Sequence, residues 1–519
     1  MHDLLDRLPV KPGRFVFIAL GLGMLIALPF MDGWFRGDPE ATTTSSTIPP
    51  DGDDGGRISA EEGTAEMSAA SSQFVQLVPP QSGDLIGARD LPSQDRHILA
   101  GCEEAVAIQA PANDLASVVS GSEPGTCFSL AAGEYRFSGV VPKDYMTFLG
   151  SGRDEVVVVG DGGKENAFSG TAHSVTIAQM TFRDFTGNGG EKLQEQAPIR
   201  GTRGIWLSDR GEMATDWLIE DIVASDNAAN GLFLGDHFTV RNSVFNGNGI
   251  AGIGGSELVG GLLVGNQVFG NGANQASGAL INGAGMKFTG AGTPEAPLVV
   301  SANEVYENID NGIWCDIGCN GFEVIDNFIH DHRSRAVMIE LSSNTYIADN
   351  LIVDSNTWTD YGRDFNAGAI TVAESSNSLV EGNYIDGAKS GIIVRQTRRP
   401  GPSEGFLNNY QGVTFVAADI VVRDNSIRDT EAMGVSTGVT GNGLINDLGS
   451  IRFEGNNYAG ASGMAFWWAG QTRLSYDAWL AAGRDGGGGT SVGEPPVWPP
   501  EPEPIVADAT GTGADTGDG

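Results

Sequence analysis

Residues 311–343 read NGIWCDIGCNGFEVIDNFIHDHRSRAVMIELSS, and two short patterns inside this stretch decide the fold. The first, Gly312-Ile-Trp-Cys, is a glycine followed by apolar, variable, apolar, and Ala336-Val-Met-Ile repeats it in the next unit. The second, FEVIDNFI at 322–329, places Asn327 between two apolar alternations of period two, as expected for short strands meeting at a tight turn. Working outward, the first pattern returns at Gly204, Gly231, Gly285, Gly391 and Gly463. The second returns as FTVRNSVF, LLVGNQVF, YIADNLIV, SLVEGNYI and IVVRDNSI. Asn242, Asn266, Asn303, Asn327, Asn350, Asn383, Asn425 and Asn456 lie 23 or 24 residues apart where nothing is inserted and 31 to 42 apart elsewhere. A rung of about 22–24 residues carrying occasional insertions specifies an all-β parallel β-helix solenoid. An asparagine at each turn accepts αL geometry. Stacked once per rung at about 4.8 Å, its amide can also donate to the next.

The repeat sets the other boundaries. Phe15 to Met31 is apolar throughout and follows Arg7, Lys11 and Arg14. Seventeen residues at about 1.5 Å each span roughly 25 Å, so this run reads as an uncleaved single-pass anchor with the N-terminus cytoplasmic, with a cleaved signal peptide and a secreted protein as the alternative. The expected organisation is a cytoplasmic segment at 1–14, a transmembrane anchor at 15–34, an acidic tether at 35–95, the β-helix at 96–483 and a Gly/Pro/acidic tail at 484–519. A helix near Asn113 to Gly121 is expected to cap the open first rung.

The 519 residues carry a formal charge of −36, which repels nucleic acid and anionic lipid surfaces alike. Cys102 and Cys127 bracket the capping segment and are the favoured disulfide. Cys315 and Cys319 are either a second pair or buried thiols.

The run CFSLAAGEYRF at 127–137, then MTFLGSG at 146–152 and the Asn-marked rungs, resembles the secreted pectate-lyase-like superfamily of right-handed parallel β-helices over roughly residues 100–483. Trp314-Cys-Asp316, Glu340-Leu-Ser342 and the closing SYDAWLAAGRD at 475–485 resemble a bacterial subgroup of that superfamily. The resemblance implies the right-handed fold and action on a polysaccharide.

Alternation sends Ile313 and Cys315 inward and Trp314 and Asp316 outward; on the next rung it sends Met338 and Glu340 outward. Asp316 and Glu340 are one rung of 24 residues apart, so they are expected to stack at about 5 Å. Lys287 falls one rung before Trp314, and Arg395 two rungs after Glu340. Trp206 and Phe233 extend the outward aromatic column. Two close carboxyls cannot both ionise cheaply, so the pair is expected to divide into general acid and general base, as glycosidic cleavage requires. A solvated acid pair or a Ca²⁺ site are the competing readings. Trp314, Trp206 and Phe233 would offer ring faces to sugar.

His330-Asp331-His332 lacks a third zinc ligand at metal-like spacing, so no metal is assigned, and His330 is read as a substrate contact against a plain polar turn. Glu374 is a further candidate acid. The expected function is binding and cleavage of a polysaccharide by a monomer without a required cofactor, as a glycoside hydrolase ahead of a lyase or epimerase. Only Lys287, Arg395, Arg398 and Arg399 could neutralise uronates. The alternative is a non-catalytic carbohydrate-binding or adhesion module. Insertions at 357–367 and 398–415 are expected to wall a groove.

Overall fold

The computed structural model describes residues 102, 104–160, 166–185, 198–200, 213–272, 283–357, 367–397, 413, 415–437, 448–469, 472–496 and 498. All lie in one compact unit, made of Gly83–Arg398 and Ser403–Gly519. The cytoplasmic segment, the anchor, the tether and Trp206 fall outside the described residues. Among the described residues no helix is long and apolar enough to cross a membrane.

Three sheets run the length of the solenoid, with 13, 12 and 12 strands among the described residues. Each rung contributes one strand to each in the order A, B, C, so every strand pairs in parallel with those one rung away. The strand Asn320–Ile325 of sheet A thus lies between Leu298–Ser301 and Ser343–Ala348. Sheet C alone ends differently, closing with an antiparallel pairing of Ala465–Trp468 to Thr472–Leu474. The interior is one apolar column. Rings one rung apart stack at rung spacing, as in Phe128–Phe148 at 5.0 Å and Trp217–Phe238 at 5.3 Å. The helix Leu115–Gly121 buries Leu115 and Val119 in the main core.

The A–B corner is two residues wide. The first residue takes positive φ, as at Asp326 (55°) and Asp349 (54°), and the second carries the ladder amide. Asn327 Nδ2 donates to Asn350 Oδ1 at 2.9 Å and to Val300 O at 2.9 Å, while its Oδ1 accepts from Asn303 N and Nδ2 at 3.0 Å each. The αL duty expected of the asparagine therefore falls on the residue before it. Asn242 is corrected on this ground: it holds the positive-φ place, and Ser243 stands in the ladder, its N–H donating to Asn266 Oδ1. The ladder ends on a carboxylate. Asp485 Oδ1 accepts from Asn456 Nδ2 at 2.6 Å, and Oδ2 accepts from Tyr458 Oη at 2.7 Å and Trp479 Nε1 at 2.5 Å. The segment expected as a tail from 484 onward thus starts inside the fold, and farther along Trp498 packs on Phe328 at 5.4 Å.

A second ladder, Asn227, Asn248, Asn271 and Asn308, follows the B–C corner. His332 takes the next place, fully buried, with Nε2 on Val305 O at 3.1 Å; burial lowers its pKa to about 4. This ladder explains the glycines Gly231, Gly252, Gly285 and Gly312 near the starts of the sheet C strands beside it. A Cβ at Gly285 would stand 2.7 Å from Asn308 Nδ2, and one at Gly312 2.8 Å from His332 Nε2. Cys102–Cys127 and Cys315–Cys319 are both disulfides.

Insertions are not spread evenly. Sheet A strands pass into sheet B through the short corner, whereas the long connections 186–197, 273–282 and 358–366 enter sheet C and 201–212, 398–412 and 438–447 leave it. The A–B corner takes none of these long connections, so length accumulates at the ends of sheet C.

Candidate active site

The register of sheet C aligns two outward columns. Lys287 pairs with Trp314 and Trp314 with Met338; Asp316 pairs with Glu340, Glu340 with Ala373 and Ala373 with Arg395. Asp316 and Glu340 therefore share one face on neighbouring strands, whose spacing is about 4.8 Å. Each has a cation. Lys287 Nζ is 3.3 Å from Asp316 Oδ2, and Arg395 Nη2 is 3.5 Å from Glu340 Oε1. Arg395 is shared, with Glu374 Oε2 also at 3.5 Å. Glu374 occupies the corner after Ala373 with φ of 47°, and its Oε1 accepts from Thr397 N and Oγ1 at 2.6 Å each. Among the described residues the sequence-expected cluster of Asp316, Glu340, Lys287, Trp314, Arg395 and Glu374 is thus brought together.

Two aromatic expectations change. Trp314 is only 6% exposed and packs with Ala284 and Met338 in a small cluster apart from the main core, and Lys287 Nζ lies 3.6 Å over its ring. Its faces are taken, so it is no open platform for sugar. Phe233 stands in the same column, one rung before Gly254 and two before Lys287, but it is buried as well. Alternation gives the side a residue faces and not what covers it.

His330 is corrected outright. It closes the sheet B strand Phe328–His330, stacks on Tyr306 at 4.9 Å and lies 2.7 Å from Asp331 Oδ2, so it belongs to a different face from the acids.

A third carboxyl was missed. Asp310 precedes the strand Asn311–Asp316 and fills the place that Ala229, Ile250 and Gly283 hold on the preceding rungs. It is 4% exposed, and the Ser334 hydroxyl is the one hydrogen-bonding side chain that acts on its carboxylate. Burial raises its pKa and Glu340 adds to this, while Arg335, Ser334 and Lys287 draw it down. Trp314 Nε1 and Arg395 Nε are buried without a hydrogen-bond partner. Each such atom costs on the order of 1–3 kcal/mol, a burden that protein cores rarely carry without use. An acid among small and apolar equivalents was the available signal in the sequence.

Residues 262–399, which include this cluster, match the family described as periplasmic copper-binding protein (NosD). No curated protein sequence matches the chain. Among solved structures, the A-module of the Azotobacter vinelandii mannuronan C-5 epimerase AlgE6 is similar over 74% of this chain and 94% of its own, with 14% identity and a TM-score of 0.53. The catalytic domain of a GH87 α-1,3-glucanase in complex with tetrasaccharides is similar over 67% of this chain and 65% of its own, with 12% identity and a TM-score of 0.45. The chain has the right-handed parallel β-helix fold. At these identities the likeness carries the fold alone. Among the described residues no group of three or more His, Cys, Asp or Glu is set to hold a metal ion, and all four cysteines are in disulfides. The calcium reading meets a related objection, since Asp316 and Glu340 face an ammonium and a guanidinium.

Proposed function

We propose that the protein binds and cleaves a polysaccharide on the outward face of sheet C, acting as a glycoside hydrolase. The reading rests on the pairing of Asp316 with Glu340 across neighbouring strands, flanked by Lys287 and Arg395. Asp316, paired with the Lys287 ammonium, takes the role of the carboxylate base. Glu340 divides one guanidinium with Glu374 beside a second acid, so it is the carboxyl that carries a proton to the glycosidic oxygen. The insertions at 357–367 and 398–415, expected to wall a groove, fall almost wholly outside the described residues. Among the described residues of this face, which do not include Arg398 and Arg399, a uronate polymer would bring a further negative charge with every sugar against Asp310, Asp316, Glu340 and Glu374, with Lys287, Arg335 and Arg395 as the cations. That balance favours a neutral substrate, and with it hydrolysis over lyase or epimerase chemistry. The anchor at 15–34 would hold the β-helix outside the membrane, in keeping with two disulfides and the periplasmic description of the matched family.

The test is product analysis on dextran, pullulan, laminarin, galactomannan, alginate and polygalacturonate. New reducing ends from a neutral polymer, without the ultraviolet absorbance of an unsaturated product, are the expected outcome. Absorbance from alginate or polygalacturonate would select a lyase, and binding without any product would select the carbohydrate-binding alternative.

A further inference from the structure

Lys287 is the common neighbour of three groups on this face. Its ammonium lies over the Trp314 ring, pairs with Asp316, and acts electrostatically on Asp310. Two of those three have hydrogen-bonding capacity that the protein leaves unused. The Trp314 indole N–H is a buried donor with no acceptor, and the two Asp310 oxygens are buried acceptors with no hydrogen-bonding side chain but the Ser334 hydroxyl to serve them. Both residues are more than nine-tenths buried. They flank the acid pair rather than the core, because Trp314 packs with Ala284 and Met338 outside the interior column and Asp310 is influenced by Glu340.

A sugar ring presents hydroxyls that each donate one hydrogen bond and accept others. We propose that Asp310 and Trp314 form a hydroxyl-reading subsite beside the cleavage point, Asp310 accepting from one ring hydroxyl and the Trp314 indole N–H donating to another. The inference rests on the hydrolase reading for the identity of its ligand, a neutral sugar, and it replaces ring stacking as the role of Trp314. A site that leaves buried polar groups unpaired when a hydroxyl is absent discriminates strongly against sugars lacking that hydroxyl, because the unpaired groups remain desolvated. Asp310 and Trp314 are thus substrate-positioning residues that set specificity, with the chemistry left to Asp316 and Glu340.

The experiment follows the indole N–H resonances of ¹⁵N-labelled protein, with the Trp314 signal assigned by its loss in Trp314→Phe. Maltotriose, isomaltotriose, laminaritriose, cellotriose and mannotriose are titrated in turn. At least one should shift the Trp314 signal, and Asp310→Asn should weaken that trisaccharide's binding by about tenfold or more, as should Trp314→Phe, which keeps the ring and removes the donor. For a cleaved polymer the same two variants should raise KM with little change in kcat. If a neutral polymer is cleaved while the Trp314 signal ignores every trisaccharide and Asp310→Asn keeps the parental KM, the subsite is refuted and the hydrolase reading stands. If no polymer is cleaved and no indole signal moves, both fall. Asp310→Asn that only raises the melting temperature would show a structural acid and would likewise overturn the proposal.

Discussion

The A–B corner and the outward face of sheet C are made by the same rungs, yet they treat polar atoms in opposite ways. At the corner, Asn303, Asn327, Asn350, Asn383 and Asn425 pass amide hydrogen bonds from rung to rung, and the series stops on the Asp485 carboxylate. On the sheet C face, carboxylates stack on neighbouring strands, and Trp314 and Arg395 hold buried atoms with no hydrogen-bond partner. One region spends its polar groups on itself, while the other keeps some in reserve. The long insertions fall at the ends of the second. Stability and chemistry are thereby assigned to different sides of one repeat, and the two sides should be separable by mutation.

The largest separation is expected at the acids. Asp316→Asn and Glu340→Gln should each lower turnover by about 10² or more while the protein melts as the parent does. The two act as a unit, so the double variant should be little worse than either single one. Full turnover in both single variants would remove the acid–base assignment.

Next in size is the end of the ladder. Asp485 receives Asn456, Tyr458 and Trp479, and an amide in its place would turn a donor toward one of these donors. Asp485→Asn should cost about 3 kcal/mol of stability in chemical denaturation, with parental turnover per folded molecule. Within the ladder, Asn327→Ala and Asn350→Ala should each cost about 1–3 kcal/mol, again with no effect on the folded enzyme's turnover. Loss of activity in excess of unfolding would show that the corner and the face are coupled.

Much of this division was legible in the sequence, because rung length and strand alternation are enough to align columns. Lys287, Trp314, Asp316, Glu340 and Arg395 fell into register by counting alone. Counting fails at the ends of strands. Asp310 has the parity of Trp314 and Asp316 but lies just before the strand, ahead of the glycine that marks it, so the count began too late to include it. The Asn242 reading slipped by one because Asn242 and Ser243 can each fill a polar corner place. His330 looked like a turn because a histidine-aspartate-histidine run is polar, yet its ring completes an outward stack with Tyr306. Asp485 was hidden by the glycines that follow it, since composition there describes the next residues and not the carboxylate they leave behind.

The smallest expected effect tests whether the corner is as fully settled as its amides suggest. Asp349 holds the positive-φ place before Asn350, at 54°, and Gly382 on the next rung leaves room for its carboxylate. Its pKa is pushed up to about 6, by burial first and then by Asp326 and Glu381. In the unfolded chain the group titrates near its ordinary value of 3.8. Below that value both states are protonated, and Asp349 contributes nothing to the pH dependence. Between about 4 and 6 the unfolded state ionises first, so stability falls as pH rises, and above about 6 the loss is complete. Asp349→Asn removes the titration and keeps a side chain that tolerates αL geometry. It should therefore raise the melting temperature at pH 8 and leave it unchanged at pH 4. The gain should be small, because Asp349 is only partly shielded and the solvent that reaches it screens its neighbours, and it should shrink further in high salt. An equal gain at both pH values would trace the effect to backbone preference, and the charge at this corner would then be as well accommodated as the amide beside it.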